Sequence, residues 1–214
     1  AHIIKKSLLS ENVKLKIIDE SLILKSRNTE WGKKYDYKSI NNYKDFASRV
    51  PIQSYETLKP YIDRIRNGEQ QILWCSDIKW FAKSSGTTTG KSKFIPVSKE
   101  TLIDCHYKGG KDLLAIYHHN HPESKLILGK TLVVGGSSQI NRLENGSYTG
   151  DLSAIIMKNF PLWVEQRRVP KLSEALMDNW EEKIAKMIKS TVHEDVSNIS
   201  GVPSWTLVLL KKML

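Results

Sequence analysis

The sequence predicts an α/β fold of layered sheets with flanking helices, and three observations carry that expectation. A short β-branched apolar run, Thr131-Leu132-Val133-Val134, passes into Gly135-Gly136-Ser137-Ser138, the pattern of a buried strand leading into a loop. Apolar residues recur at helical spacing on either side: Val13 with Ile17 and Ile18 with Leu22 before it, Leu172, Leu176, Trp180, Ile184 and Met187 after it. Between these regions, short extended stretches flank a polar loop. Strands alternating with helices indicate layers packed on a shared core. The 214 residues, 40% of them hydrophobic, suffice for one sizeable core or two small ones.

Taken in order, residues 11–25 read as a helix ending near residues 26–29, and Thr29-Glu30-Trp31-Gly32 reads as a turn. After the stretch 43–49, Pro51 holds Val50 extended. Residues 54–65 are helical again, with Ser54 as the N-cap. Pro60 interrupts that pattern and predicts two short helices, the second ended by Asn67-Gly68. Residues 71–74 and 79–82 look extended, and Phe94-Ile95-Pro96-Val97 makes a strand after the polar loop. Ser98 can cap a helix over residues 99–117. Residues 172–188 predict a single amphipathic helix and 196–199 a strand. Gly201-Val202-Pro203 then turns the chain into a last helix over 204–214.

Composition excludes several classes of function. No apolar run approaches the roughly 20 residues that cross a bilayer, and Lys5-Lys6 interrupt the apolar N-terminal residues, unlike a secretory signal. A cytoplasmic location and no membrane partner are the expectation. Cys75 and Cys105 form no C-x-x-C pair, which argues against a disulfide framework and a structural zinc site. The formal net charge of +10 raises nucleic acid as a partner, but the basic residues are scattered pairs such as Lys33-Lys34 and Arg167-Arg168. Solvated surface, an anionic ligand or acidic segments lying elsewhere in a longer protein each account for the charge.

The chemistry concentrates in residues 84–93, Ser84-Ser85-Gly86-Thr87-Thr88-Thr89-Gly90-Lys91-Ser92-Lys93. Gly86 and Gly90 permit unusual backbone angles and a close approach, so successive amides can point at one anion. The hydroxyls of Ser84, Ser85, Thr87, Thr88 and Thr89 add donors, and Lys91 and Lys93 add charge. A hydrogen bond to a charged group contributes roughly 1.5–3 kcal/mol net, so a few of them hold a nucleotide's phosphates. The Walker loop does not fit. Gly86 and Gly90 are separated by three residues rather than four, and an extended, proline-containing segment follows where a helix should start.

The loop resembles another family. Ser84-Ser85-Gly86-Thr87-Thr88 with Gly90-Lys91, Lys93 and Ile95-Pro96 is similar to the phosphate-binding loop of adenylate-forming enzymes: acyl-CoA synthetases, peptide-synthetase adenylation domains and luciferases. Within that superfamily it resembles the auxin-responsive acyl-acid amido synthetase family, as a bacterial-type member. Thr29-Glu30-Trp31-Gly32-Lys33, Phe46, Arg49-Val50-Pro51-Ile52, Tyr55-Glu56, Pro60-Tyr61, Arg64-Ile65 and Gly68-Glu69 look like that family's segment before the loop. Ser200-Gly201-Val202-Pro203-Ser204-Trp205 looks like its strand-turn-helix after it.

The resemblance implies a ligase that activates a carboxylic acid with ATP as an acyl-adenylate and conjugates it to an amino acid. It implies the N-terminal part of the family's large domain: a helical lead-in over 1–70, strands and the phosphate-binding loop over 71–97, and an α/β segment over 98–214. Residues 84–90 would hold the phosphates, Lys91 and Lys93 would add charge, and Mg²⁺ would bridge. Lys93 could instead pair with a nearby carboxylate. The family's adenine-binding segment, ribose-binding aspartate and C-terminal lid domain are not found here, so the chain is expected to be inactive alone and to need that missing half. A non-catalytic nucleotide-binding or interaction module of the same fold is the alternative.

Candidate acid-binding residues are His106, Tyr107, Gly109, Gly110 and Lys111, on the helix after the loop. Two glycines inside a helix cost about 1 kcal/mol each against alanine, which a bound ligand or a closely packed neighbour would explain. Gly135-Gly136-Ser137-Ser138 and Gly150-Asp151-Leu152-Ser153 are further candidate rims. His118, His119 and His121 read as a surface loop, and no metal-ligating set is expected.

Overall fold

The computed structural model describes residues 22–84, 92–135 and 140–214. Of the helix expected over 11–25 only the end lies among them, closing with the helical turn Leu24–Ser26. The described residues divide into two units, the first holding those up to 81, 92–99 and 143–147, the second the remainder.

In the first unit Thr29 opens a helix, α1 (Glu30–Lys34), where a turn was expected. Its hydroxyl donates to the Ser26 carbonyl at 2.7 Å and accepts from the Gly32 amide at 3.0 Å. Gly32 is required there, because a Cβ would sit 2.1 Å from the Ser26 carbonyl oxygen. The remaining amides at the start of α1 find partners in a segment far along the chain. Glu30 N–H donates to Gln71 O and Trp31 N–H to Ile72 O, both at 2.9 Å. This corrects the reading of residues 71–74 as a strand. Carbonyls committed to a helix N-terminus are not open to a sheet ladder, and Gln71 adopts φ 58°.

Helix α2 (Tyr43–Arg49) starts at Asn42, whose side chain accepts from the Asp45 amide. Helix α3 (Tyr55–Arg66) starts at Ser54 as expected, and Ser54 Oγ accepts from the Thr57 amide. It is one helix and not two, with Pro60 inside it. A proline forfeits one backbone bond but does not end a helix anchored on both sides. Here the anchors are buried Ile62 and Ile65 beyond Pro60 and half-buried Leu58 before it. The helix ends in the motif that Asn67-Gly68 signals: Gly68 N–H donates to Ile65 O, Glu69 N–H to Arg64 O, and Gly68 takes φ 107°. That turn delivers Glu69 to Arg64, whose guanidinium also grips Glu30 with two hydrogen bonds of 2.8 Å. Two apolar clusters fill the unit, one around Ile23, Trp31, Tyr37 and Ile40, the other around Ile65, Ile72, Ile78 and Phe81.

Strands β1 (Trp80–Lys83) and β2 (Phe94–Val97) flank the polar loop. They are neighbours in one sheet, with β2 at its end, where Pro96 leaves no inner ladder bond unmade.

In the second unit a π-helical stretch, Thr101–Tyr107, runs into α4 (Lys108–Asn120), which fulfils the helix expected over 99–117. Strand β3 (Lys130–Val134) is the expected buried strand. The short strands β4 (Asn141–Arg142) and β5 (Tyr148–Gly150) pair antiparallel. Helices α5 (Leu152–Lys158) and α6 (Leu162–Gln166) follow, then β6 (Arg168–Val169). The single helix expected over 172–188 is two, α7 (Leu172–Ala175) and α8 (Trp180–Thr191). Asn179 separates them by accepting from the Glu182 amide at 3.1 Å, an N-cap in mid-pattern. Strand β7 (Val196–Gly201) and helix α9 (Pro203–Met213) complete the unit.

β3 lies between β6 and β7 and is parallel to both, with Leu132 opposite Val169 and Val134 opposite Gly201. Leu132, Val134 and Val169 share a core with Ile184 and Met187 of α8 and Leu209 of α9. The α/β expectation therefore holds, with two sheets and flanking helices.

Candidate phosphate-binding site

Ser84 directly follows β1, Lys93 directly precedes β2, and both are half-buried. Ser85, Gly86, Thr87, Thr88, Thr89, Gly90 and Lys91 lie outside the described residues. What the structure describes is the framework that carries the loop. The approach is set by Gln70, whose amide oxygen accepts from Ile78 N–H at 2.9 Å while its nitrogen donates to Ile78 O at 3.3 Å. Phe81 of β1 is fully buried.

The exit is held from α3. The Phe94 amide donates to Tyr55 Oη at 2.9 Å, and the Lys93 ammonium stands 5.3 Å from the centre of the Tyr55 ring. The Arg66 guanidinium stacks on the Phe94 ring, its carbon 3.7 Å from the centroid. Asn145 in turn donates to the Arg66 carbonyl at 2.6 Å. Arg66 Nη1 also donates to Asp63 Oδ1 at 3.5 Å, while its buried Nε has no hydrogen-bond partner among the described residues, so the stack and the ion pair together fix this side chain. Two cationic side chains thus lie where β2 begins, each against an aromatic ring. That arrangement suits an anionic ligand.

The candidate acid-binding residues are placed as follows. Tyr107 donates from its hydroxyl to the Ile156 carbonyl at 3.2 Å and packs on Phe160, and burial pushes its phenol above the usual value. His106 is half-buried, and Lys111 is exposed. Gly109 and Gly110 face open space, since a Cβ at either meets nothing within 4 Å, so close helix packing does not account for them among the described residues. Gly135 directly follows β3, Gly136, Ser137 and Ser138 lie outside the described residues, and Gly150 ends β5. His121 lies 3.8 Å from Glu123 on the surface.

Three residues that hold the exit of the loop went unmarked as such in the sequence, Tyr55, Arg66 and Asn145, and so did the buried Lys183 of the second unit. Tyr55 follows the Ser54 cap within the family-like segment Tyr55-Glu56, and nothing local gives it a role at the loop. Lys183 carried a signal, a lysine three residues after Trp180 on the apolar face of α8. It is 1% exposed, donates to the Gly135 carbonyl at 3.3 Å, and burial holds its ammonium below the usual value.

Comparison with known proteins decides the family. Residues 15–212 match the GH3 family N-terminal domain. The chain belongs to the GH3 family. A stretch of 93 residues is 39% identical to the indole-3-acetic acid-amido synthetase GH3.2 of Arabidopsis thaliana, covering 43% of this chain and 17% of that protein. A longer match of 190 residues at 26% identity joins 86% of this chain to 31% of the indole-3-acetic acid-amido synthetase GH3.15 of the same plant. The solved GH3.15 acyl acid amido synthetase superposes with a TM-score of 0.76 at 22% identity, over 99% of this chain and 38% of that one. This GH3 chain therefore spans less than two fifths of the length of each of these proteins. Among its described residues, no helix is long and apolar enough to cross a membrane.

Proposed function

We propose that this GH3 chain supplies the phosphate-binding part of an ATP-dependent ligase that activates a carboxylic acid and joins it to an amino acid. The observation that carries the reading is the family match over residues 15–212, which contains the loop 84–93 at the junction of β1 and β2. The relatives' names, amido synthetases acting on indole-3-acetic acid, support the reaction class.

In this reaction a carboxylate oxygen attacks the α-phosphorus of MgATP, the bond to the β-phosphate oxygen breaks, and pyrophosphate leaves. The amine of the amino acid then attacks the acyl carbon, and AMP departs with the carboxylate's former oxygen. Charge grows on pyrophosphate as it leaves, so donors fixed in advance lower the barrier. The amides and hydroxyls of residues 84–90 serve as those donors, and Lys91 and Lys93 as the charges. Half-buried His106 and exposed Gly109, Gly110 and Lys111 are offered to the acid, with Tyr107 fixing that stretch of helix through Ile156. The chain alone does not complete the cycle, because the remaining parts of the ligase belong to the portion of the family's fold that it does not span. A second reading, a nucleotide-binding or interaction module without catalysis, draws on the same short coverage.

Calorimetry of MgATP binding to the wild type and to the triple variant Ser85→Ala/Thr87→Ala/Lys91→Ala tests the loop. Binding that the triple change abolishes is the expected outcome, and equal binding by both would sink the assignment. Acid-dependent ATP–pyrophosphate exchange by the chain alone would contradict its need for the rest of the enzyme.

A further inference from the structure

We propose that Tyr55 is a positioning residue for the phosphate loop, one that fixes where the loop ends and where the Lys93 ammonium points. The inference rests on the reading of residues 84–93 as a phosphate site. Two contacts from one side chain carry it. The Tyr55 hydroxyl accepts the Phe94 amide at 2.9 Å, which pins the first residue of β2. Its ring lies under the Lys93 ammonium at 5.3 Å. A tyrosine at the first position of α3 therefore reaches the backbone of one residue and the charge of the one before it.

The arrangement has a physical consequence. A lysine stem carries several freely rotating bonds, and a charge on such a stem loses that freedom when it meets a phosphate. A ring face attracts the ammonium and narrows its range before the ligand arrives. The same tyrosine fixes the backbone from which the stem grows, so stem and charge are oriented together. Tyr55 is itself held in place. Ser54 caps the helix at its foot, and at the far end of α3 Arg66 stacks on the Phe94 ring at 3.7 Å. Phe94, the first residue of β2, is thus held by both ends of that helix. No contact of Tyr55 with nucleotide is required, so it acts through Lys93 and the Phe94 amide alone.

The test uses the full 214-residue chain. MgATP affinity is measured by calorimetry for the wild type, Tyr55→Phe, Tyr55→Leu, Lys93→Ala and the double variant Tyr55→Leu/Lys93→Ala. Tyr55→Leu is expected to bind about fivefold more weakly, the scale of one exposed cation–π contact. It is expected to cost much less once Lys93 is gone, because most of its effect on affinity travels through that lysine and only the remainder through the Phe94 amide. Tyr55→Phe keeps the ring, so its affinity stays close to wild type while the Phe94 amide exchanges its hydrogen faster. Independently of nucleotide, the Lys93 ε-methylene protons should show an upfield ring-current shift by NMR, present in Tyr55→Phe and absent in Tyr55→Leu. Equal affinity of Tyr55→Leu and wild type, or losses that add in full in the double variant, would overturn the inference while leaving the phosphate site intact. A folded wild type that binds no MgATP would overturn the phosphate reading first and this inference with it.

Discussion

Replacing Gly201 by alanine should open the parallel sheet at its carboxyl end. Gly201 closes β7 opposite Val134 of β3, the central strand. A Cβ there would stand 2.4 Å from the Val134 carbonyl oxygen and 2.8 Å from the Val134 Cβ. The oxygen is backbone, so no rotamer change relieves the overlap, and ordinary contact begins about 1 Å further out. β7 must shift away from β3, which strains the last ladder bonds and loosens the packing of Val134 against Leu209. Overpacking of this kind costs about 1–3 kcal/mol, and a weakened ladder bond adds about 1 kcal/mol. Restricting the unfolded chain returns about 0.4–1 kcal/mol. The net loss is about 2 kcal/mol, or a fall of about 4–8 °C in Tm for a chain of this size. Scanning calorimetry measures it, with Gly110→Ala as the companion. At Gly110, on the exposed face of α4, a Cβ meets nothing, so alanine should stabilise by about 0.5–1 kcal/mol through helix propensity. A Gly201→Ala chain as stable as the wild type, or a Gly110→Ala chain less stable, would refute the steric argument.

Three further perturbations test the fold. Pro60→Ala restores the amide that α3 lacks at an exposed interior position, and a gain of about 1–2 kcal/mol in urea denaturation is expected; a loss would mean that the helix depends on the proline. The hydrogen bonds from Arg64 hold Glu30 and Glu69 below the usual 4.5. The unfolded chain therefore takes up protons first as pH falls, and the stability from this clamp is complete above pH 4.5 and drains away below it. Arg64→Met should be less stable than wild type near neutrality, and the gap should close in acid; a gap independent of pH would argue against the clamp. Lys183 is buried with its ammonium held below 10.5, so the folded state binds fewer protons than the unfolded one just below that pH, and stability from this group rises as pH climbs towards it. Lys183→Met should flatten that alkaline rise in a series of melts, and an unchanged slope would assign it to other groups.

The sequence carried the large periodic elements and hid the ones set by distant partners. β3 was legible because four apolar and β-branched residues before paired glycines suit a buried strand, and Leu132 and Val134 are its buried face. The end of α3 was legible because Gly68 alone tolerates the left-handed turn that closes it. Thr29 was read as a turn because α1 is only five residues long and its first amides, those of Glu30 and Trp31, are satisfied by the carbonyls of Gln71 and Ile72, some forty residues on. The same bonds removed the strand expected at 71–74, so one long-range pairing produced two errors. β4, β5 and β6 are two or three residues long and mostly polar, too short for any alternation to register. The break between α7 and α8 escaped notice because Leu172, Leu176 and Trp180 keep helical spacing across it, while Asn179 starts a new helix by capping Glu182.

The site divides along the same line. The phosphate loop announces itself because hydroxyls, glycines and lysines crowd into one stretch of sequence. The residues that hold its exit are each ordinary where they stand: a tyrosine after a cap, an arginine at a helix end, an asparagine in a turn. They become a group only because α3 runs alongside β2, so that Tyr55 reaches Phe94 and Lys93 from one end and Arg66 reaches Phe94 from the other. Ligand-contacting residues can be read locally when backbone and side chains of one loop do the binding. The residues that orient such a loop depend on which helix the fold lays beside it, and that is decided by the burial of Ile65, Ile72 and Phe81 in the core beneath.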